Sequence, residues 1–511
     1  MQPVLTAAET QALDRETEAR GTPVAELMER AGLAVARAAM EVAGGSYGRR
    51  AVAVCGKGNN GGDGLVAARY LSQWGMGATA VLLDDPRGLR DPALGNLGRL
   101  KAVPGARIRS YSREVLAREV DRADVVIDAV FGTGFRGIAE GQHAEALELI
   151  NGSPAPVIAI DIPSGVEGDT GLVRGPAVRA DATVTFGAPK VGAVLMPGAT
   201  HAGSLEVADI GFPPDLIHSD LLLVEPGDVL ARLPARDPEG HKRRSGVVLV
   251  VAGSRRMAGA PRMVAESAYR AGAGLVTVAV PEGILPAVQS DLAEATFLPL
   301  PEGPEGSVAQ AAWEAVGERL EGFDAVAVGP GLSTDGETPA FVRRLVRGST
   351  APVVADADAL NAFAGAAGEM AERASDLVLT PHTGEFGRLF GMPAQEVLED
   401  RVGFVRKAAE ETRSVVLLKG PRTLVASPGG EVRVNPTGSM ALSTGGTGDV
   451  LTGAVAALLA RGLGPADAAT VAAYLQGMAG EIAGGRLGEG ATALDVARAL
   501  PEAVLRLRGE A

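Results

Sequence analysis

Short apolar runs that stop abruptly in polar, glycine-rich loops recur along the whole chain, and a helical pattern follows most of them. In the first half the runs cover 51–55, 125–130, 157–160 and 182–186; in the second they cover 246–251, 275–280, 325–328, 353–355, 377–379 and 415–418. Runs this short and this uniformly apolar suit strands buried on both faces, and strands that alternate with helices pair in parallel. A parallel sheet puts the C-terminal ends of its strands, and therefore all of these loops, on one edge. The spacing predicts an α/β chain with two doubly wound sheets.

The stretch 435–453, N-P-T-G-S-M-A-L-S-T-G-G-T-G-D-V-L-T-G, carries the clearest chemistry. Gly445, Gly446 and Gly448 lack a Cβ, so backbone N–H groups can converge on an anion. A helix expected to open near Val450 adds the positive end of its dipole. Asp449 places a carboxylate at that helix mouth, where a loop that only binds phosphate would avoid negative charge. A base aimed at a hydroxyl explains it; a turn whose Asp caps the helix is the plainer alternative. Other strand ends face the same edge. Asp356 and Asp358 are site residues or helix caps, and His382 is a site residue or a hydrogen-bonded structural histidine. Lys419 beside Gly420, with Thr423 close by, is placed to meet nucleotide phosphate.

In the first half, the run 51–55 enters G-K-G-N-N-G-G-D-G at 56–64, ahead of a helix expected over 65–74. Strand, glycine loop and helix in that order offer N–H groups to phosphate. The loop is neither G-x-G-x-x-G nor a P-loop, because no Lys-Ser/Thr pair follows the glycines. Asn59 and Asn60 bring amide oxygens suited to a ribose, a phosphate or a hard cation. Asp128 precedes F-G-T-G-F-R-G at 131–137, while Asp161 and Ser164 lie in D-I-P-S-G at 161–165. Asn60, Asp128, Asp161 and Ser164 are expected to meet in one crevice, entered by the ammonium of Lys190. Helices expected over 7–20, behind a Thr6–Glu9 capping box, and over 23–42 come before the first strand, and the apolar positions of the second read as core.

The 511 residues leave room for more than one domain. A net charge of -14 argues against nucleic-acid or anionic-membrane partners, so a phosphate site has to be local. Cys55 is the one cysteine, which leaves no internal disulfide and suits a reducing cytoplasm. No signal peptide or membrane-spanning run is evident, and a cytoplasmic protein is expected. Spaced prolines over 216–240 suit an extended linker between domains at 1–215 and 241–511. His241 with the basic residues after it reads as a solvated turn or as a basic edge toward nucleotide phosphate.

L-M-E-R-A-G (27–32), C-G-K-G-N-N-G-G-D-G (55–64), D-A-V-F-G-T-G (128–134), D-I-P-S-G (161–165) and F-G-A-P-K-V-G (186–192) closely resemble the signature runs of the NAD(P)H-hydrate epimerase family. G-P-G-L (329–332), D-A-D-A-L-N (356–361), P-H-T-G-E (381–385), L-K-G-P-R-T (418–423) and T-G-G-T-G-D-V-L-T-G (444–453) resemble those of ADP-dependent NAD(P)H-hydrate dehydratases. The resemblance implies a Rossmann-like first domain that interconverts the R and S hydrates of NADH and NADPH. It implies a ribokinase-like second domain that dehydrates the S hydrate with ADP, giving AMP and phosphate. K⁺ would be held by Asn60, Asp128 and Ser164. The hydrate would meet Asn59, Asn60, Gly61, Gly62, Asp63, the loop Gly132, Thr133, Gly134, Phe135, Arg136, Gly137 and Ile138, and Lys190, with Asp161 catalytic. In the second domain Ala260, Gly331, His382 and the catalytic Asp449 would meet the hydrate. ADP with Mg²⁺ would lie along Lys419, Gly420, Pro421, Arg422, Thr423, Gly446, Thr447 and Gly448. A homo-oligomer is expected as well.

The residue types suit that chemistry. The hydrate carries its hydroxyl on the ring carbon next to nitrogen, so nitrogen can help expel it and leave a planar iminium open to attack from either face. A single carboxylate, Asp161, is expected to serve both departure and return. Three positions depart from the dehydratase pattern: Ser439-Met440-Ala441 stands for a usual Asn-Pro-Gly, Ser333 for Gly and Thr383 for Pro. The competing reading is a ribokinase-type small-molecule kinase, such as a pyrimidine-alcohol kinase, that uses the same cradle and Asp449 beside a non-catalytic nucleotide-binding scaffold domain.

Overall fold

The computed structural model describes residues 1–235 and 242–510, and the chain forms two compact units, 2–221 and, with Met1, 222–511. In the first unit, helices α1 (Ala7–Ala19) and α2 (Val24–Val42) precede strand β1 (Arg50–Cys55) and helix α3 (Asn59–Gln73). The strands β2 (Gly77–Leu82), β3 (Arg107–Ser110), β4 (Val125–Ala129), β5 (Val157–Ile160), β6 (Ala182–Phe186) and β7 (Ser204–Ala208) come next along the chain. They form one sheet in the order β3-β2-β1-β4-β5-β6-β7. Every pairing is parallel, with Val54 opposite Asp128 and Asp128 opposite Ala159. Alternate side chains feed two cores. Ala53, Cys55, Ile127 and Ile160 pack with Val35 and Leu65, whereas Val52, Val54, Val126 and Ala159 pack with Leu116, Leu147 and Ile150. Burial on both faces is why these runs read as continuously apolar.

The second unit holds β8 (Val247–Val251), β9 (Leu275–Pro281), β10 (Thr296–Leu300), β11 (Ala325–Val328), β12 (Val353–Ala355), β13 (Leu377–Leu379), β14 (Val415–Leu418), β15 (Leu424–Ala426) and β16 (Val432–Val434). These run in the order β16-β15-β14-β13-β12-β11-β8-β9-β10. The strands β8 to β14 are parallel neighbours, and β15 and β16 join antiparallel. Among the helices of this unit are α4 (Ala260–Arg270), α5 (Thr383–Phe390), α6 (Thr447–Ala460), α7 (Pro465–Leu487) and α8 (Ala493–Arg508). Helix α6 is apolar nearly all round because it is buried all round, from Val450 to Leu459. A Cβ at Gly453 would overlap the Val264 carbonyl oxygen and the Ser267 hydroxyl of α4, so this glycine lets the two helices touch.

Three expectations change. Helix α3 opens at Asn59 rather than at 65, and α6 opens at Thr447 rather than near Val450, so much of each glycine loop is the first turns of a helix. The stretch expected as an extended linker instead folds between 221 and 232: Leu221–Leu223 is a strand and Pro226–Arg232 a helix. Pro226 starts that helix inside a Glu225–Asp228 capping box, Val224 N–H donates to the Val434 carbonyl, and Val229 is fully buried. Residues 236–241, His241 among them, lie outside the described residues.

Candidate active sites

A cavity of about 740 Å³ opens at the C-terminal edge of the first sheet. It lies where the chain order reverses across β1 and β4, the crevice in which an open α/β sheet takes its ligand. Asn59, Asn60, Asp63, Gly132, Thr133, Gly134, Phe135, Arg136, Asp161 and Lys190 line it. Gly61 and Gly62 sit in α3 off the wall. A Cβ on Gly61 would strike the Gly56 carbonyl oxygen, and one on Gly62 would reach the Met28 sulfur at 2.7 Å. These two glycines serve packing, while the first N–H groups of α3 face outward with no side-chain cap at Gly58. Gly137 and Ile138 also lie off the wall. Their loop is fixed from the next one, with Glu167 accepting Gly137 N–H at 3.1 Å and Asp169 paired with Arg136.

Asp161 leaves β5 in the left-handed region, at φ 65, a conformation that costs energy for any residue but glycine. Its Oδ1 lies 2.9 Å from Lys190 Nζ and accepts a 2.9 Å hydrogen bond from the Thr185 hydroxyl. Lys190 is 1% exposed and donates to Thr185 Oγ1 and to the Phe186 and Ala188 carbonyls at 2.9–3.1 Å. The ammonium is thus spent on orienting Asp161.

Asp128 and Ser164 are buried off the wall. The Asp128 carboxylate accepts from Ser164 N–H at 2.7 Å and from the Ser164 hydroxyl at 2.6 Å, and burial pushes it up to about 6 against those hydrogen bonds. Its neighbours are neutral donors, so among the described residues this charge has no cationic side chain to balance it. Asn60 Nδ2 donates to the Phe131 carbonyl at 2.7 Å, beside the Ser164 hydroxyl.

The same cavity holds residues that carry no mark in the sequence. Thr10, Gln11 and Asp14 of α1 line it, as do Asp84 and His143, 3.3 Å apart. Asp14 is concealed in a helix whose legible feature is its Thr6–Glu9 capping box. Burial and then the charge of Asp161, against Lys190 and Arg15, raise Asp14 to about 6. Burial, Asp161 and Asp14 hold Asp63 well above the usual carboxylate range.

In the second unit a cavity of about 460 Å³ is lined by Asp356, His382, Glu385, Lys419, Gly420, Gly446, Thr447, Gly448 and Asp449. Gly446, at φ 91, turns the chain into α6, whose N-terminus has no side-chain cap and whose first turn carries Asp449. Lys419 lies between two buried acids, 2.7 Å from Asp356 and 3.5 Å from Glu385. Burial alone would lower this ammonium, but Asp356, Glu385 and Asp449 raise it. Asp449 is pushed up to about 7 by burial and by Asp356, against Lys419. A Cβ on Gly448 would come within 3.3 Å of Lys419 Nζ.

His382 caps α5: its Nδ1 accepts from Gly384 and Glu385 N–H, and Glu385 accepts from His382 N–H. An accepting Nδ1 puts the ring proton on Nε2, an assignment that comes from the hydrogen-bond network. Thr383 takes the first helical position, where the usual proline would be equally at home. Ser333 has φ 70, which explains the usual glycine, and its N–H is held by Asp358 at 2.8 Å. Pro421, Arg422 and Thr423 lie off the cavity wall in a loop held by the buried Arg401, which donates to the Pro421 and Arg422 carbonyls. Ala260 and Gly331 also lie off the wall and pack together at the ends of α4 and β11.

A family model described as NAD(P)H-hydrate dehydratase matches residues 248–502, and one described as YjeF-related protein N-terminus matches 24–192. The bifunctional NAD(P)H-hydrate repair enzyme of Moorella thermoacetica is 42% identical over 494 residues, 95% of this chain and 93% of that one. The chain belongs to the bifunctional NAD(P)H-hydrate repair enzyme family. Another member, from Thermofilum pendens, is 41% identical over 98% of this chain and 96% of its own. A solved ADP/ATP-dependent NAD(P)H-hydrate dehydratase of Bacillus subtilis, crystallised with ATP and Mg²⁺, is 31% identical with a TM-score of 0.49, covering 57% of this chain and all of that one. Family members join an NAD(P)H-hydrate epimerase, an isomerase, to an NAD(P)H-hydrate dehydratase, a lyase. This chain is such a bifunctional enzyme.

Proposed function

We propose that residues 1–215 form the epimerase domain and that its cavity takes the hydrates of NADH and NADPH. Their diphosphate lies against the uncapped N-terminus of α3 and the loop 132–138, and Asp161 reaches the hydroxyl-bearing ring carbon. Asp161 accepts or returns a proton at its carboxylate while Lys190 fixes its orientation. A monovalent cation fits beside Asn60, Asp128 and Ser164, because the donor set is oxygen-rich and its one buried carboxylate is unbalanced. K⁺ bound there would supply that countercharge and steady the loop that carries Phe131.

In the second domain, 241–511, Asp449 takes the proton of the ring hydroxyl as its oxygen attacks the terminal phosphoryl of ADP. AMP leaves. The carbon–oxygen bond then breaks with its electron pair going to phosphate, the ring nitrogen supplies the push, and loss of a proton from the adjacent carbon restores NADH or NADPH. The N–H groups of Gly446 to Gly448 face the transferring phosphoryl, and the loop 419–423 borders the nucleotide. Mg²⁺ would neutralise phosphate charge; among the described residues no group of three or more His, Cys, Asp or Glu is arranged to hold a metal, which suits an ion carried in by the nucleotide. The observation that carries this reading is Asp449, raised toward neutrality at the mouth of an uncapped, glycine-entered helix. Cytoplasmic residence and homo-oligomerisation belong to the same reading; no described helix is long and apolar enough to cross a membrane.

The test gives purified protein both hydrate epimers with Mg²⁺ and either ADP or ATP, in K⁺ or tetramethylammonium buffer, and follows reduced-nicotinamide absorbance. Full recovery of both epimers with ADP, slowed for the R epimer when K⁺ is withdrawn, is expected. Recovery with ATP alone would overturn the choice of donor, and a phosphorylated product without NADH or NADPH would point to a kinase.

A further inference from the structure

Epimerisation inverts a centre, so the hydroxyl leaves from one face of the ring and returns on the other. One fixed carboxylate serves a single face well. Asp161 is fixed: Lys190 and Thr185 both hold its Oδ1, and its backbone is locked at φ 65. A second proton-handling group from a different element is what the chemistry asks for.

We propose that Asp14 is that group, a second catalytic acid–base residue of the epimerase site that works as a pair with Asp161. The inference rests on reading this cavity as the epimerase site. Thr10, Gln11 and Asp14 share one face of α1, and that face lines the cavity that Asp161 lines from the end of β5. The placement of α1 is tied to Asp161's own partner. Leu5 N–H donates to the Pro189 carbonyl at 2.8 Å and Val191 N–H donates to the Leu5 carbonyl at 3.1 Å, so residues 4–6 pair alongside Lys190. Asp169 then accepts Ala7 N–H at 2.6 Å and anchors the start of the helix. Asp14 itself makes no hydrogen bond or ion pair among the described residues, which leaves its carboxyl for a ligand. Of the other two carboxyls of the cavity, Asp63 is 9% exposed within α3 and has less access to water for exchanging a proton, and Asp84 is engaged 3.3 Å from the His143 ring.

The groups facing Asp14 are Asp161 and Asp63 on the acidic side and Lys190 and Arg15 on the basic side. Burial and the Asp161 charge raise Asp14 to about 6, so Asp14 keeps its proton well above the usual carboxylate range. In one direction the Asp14 carboxyl gives its proton to the ring hydroxyl. The carbon–oxygen bond breaks, its electron pair leaves with water, and the ring nitrogen's lone pair closes the iminium. Water then adds from the opposite face, the iminium electrons return to nitrogen, and the Asp161 carboxylate takes the proton that water sheds. Proton exchange with solvent resets the pair, and the reverse reaction uses the same groups in opposite roles.

The experiment measures epimerisation of NADH hydrate, which has no 2′-phosphate to titrate in the same range, by wild-type, Asp14→Asn and Asp14→Glu proteins across pH. Thermal unfolding of each variant checks its fold. The wild type is expected to lose kcat/KM as pH rises through about 6, where Asp14 gives up its proton. Asp14→Asn should lower kcat equally in both directions by roughly 10² to 10³. Its KM should stay within about threefold, and it should lack the alkaline limb. Asp14→Glu should regain the limb and part of the rate. An Asp14→Asn protein that keeps the wild-type rate, or that loses activity through KM alone with the limb intact, would overturn the proposal. So would a folded Asp14→Glu protein as slow and as flat in pH as the Asn variant. A wild type that dehydrates the S hydrate yet epimerises neither would instead remove the epimerase reading itself.

Discussion

At the scale of single residues, charge is arranged so that acids sit where burial and other acids oppose their ionisation. Asp449 is raised to about 7, and a base must be ionised to act. Dehydration kcat/KM is therefore expected to climb as pH rises through about 7 and to level above it. Asp449→Asn should lose about 10³ of the rate and flatten the profile; a stopped-assay pH series on both proteins checks this. The carboxylates Asp161 and Asp449 were legible in the sequence, because an acid beside a glycine-rich strand end needs a chemical reason. The partners that define them were not. Lys419, expected to meet nucleotide phosphate, has its ammonium between Asp356 and Glu385, residues 63 and 34 positions away in a chain that gives no local sign of the contact. Asp14 is harder still, since a lone acid on a surface helix looks like any solvated residue until its face is known.

At the scale of elements, period and composition located ten of the strands to within a residue or two, left β2, β3, β7, β10, β15 and β16 unread, and placed the starts of α3 and α6 too late. Propensity argues against glycine in a helix. Here close packing prevails: the glycines of these first turns let α3 approach the end of β1 and let α6 leave room for Lys419 and Asp356. Gly453 is the same device one turn on. Gly453→Ala should push α6 off α4 and cost about 1–3 kcal/mol of stability in the unit that holds the dehydratase site, read as a lower midpoint in thermal inactivation of dehydration. A midpoint unchanged from wild type would show that the helices can part at no cost. The stretch after 216 shows the limit of reading prolines as linker: Pro226 is a helix start, and the run 221–223 has too few residues for its strand character to be told from an apolar linker.

At the scale of the whole molecule, each unit carries its own sheet and its own cavity, and a net charge of -14 leaves phosphate recognition to helix N-termini and local cations. Ligand effects should obey the same division. ADP with Mg²⁺ at about a hundred times its Kd should add roughly 2.7 kcal/mol to the unit it binds. Loss of dehydratase activity on heating should then shift upward while loss of epimerase activity stays where it was. Parallel shifts of both would mean that the chain unfolds as one cooperative block. The sequence by itself determined the two doubly wound sheets, the edge on which chemistry collects and a part of the residues found there, because buried parallel strands and anion-binding turns leave local signatures of period and composition. Only the tertiary structure decided which charges face each other: Lys190 against Asp161, Lys419 between two acids, Asp128 without a cation, Asp14 on the cavity wall. Protonation depends on burial and on distances between residues far apart in the chain, and neither is written in local sequence.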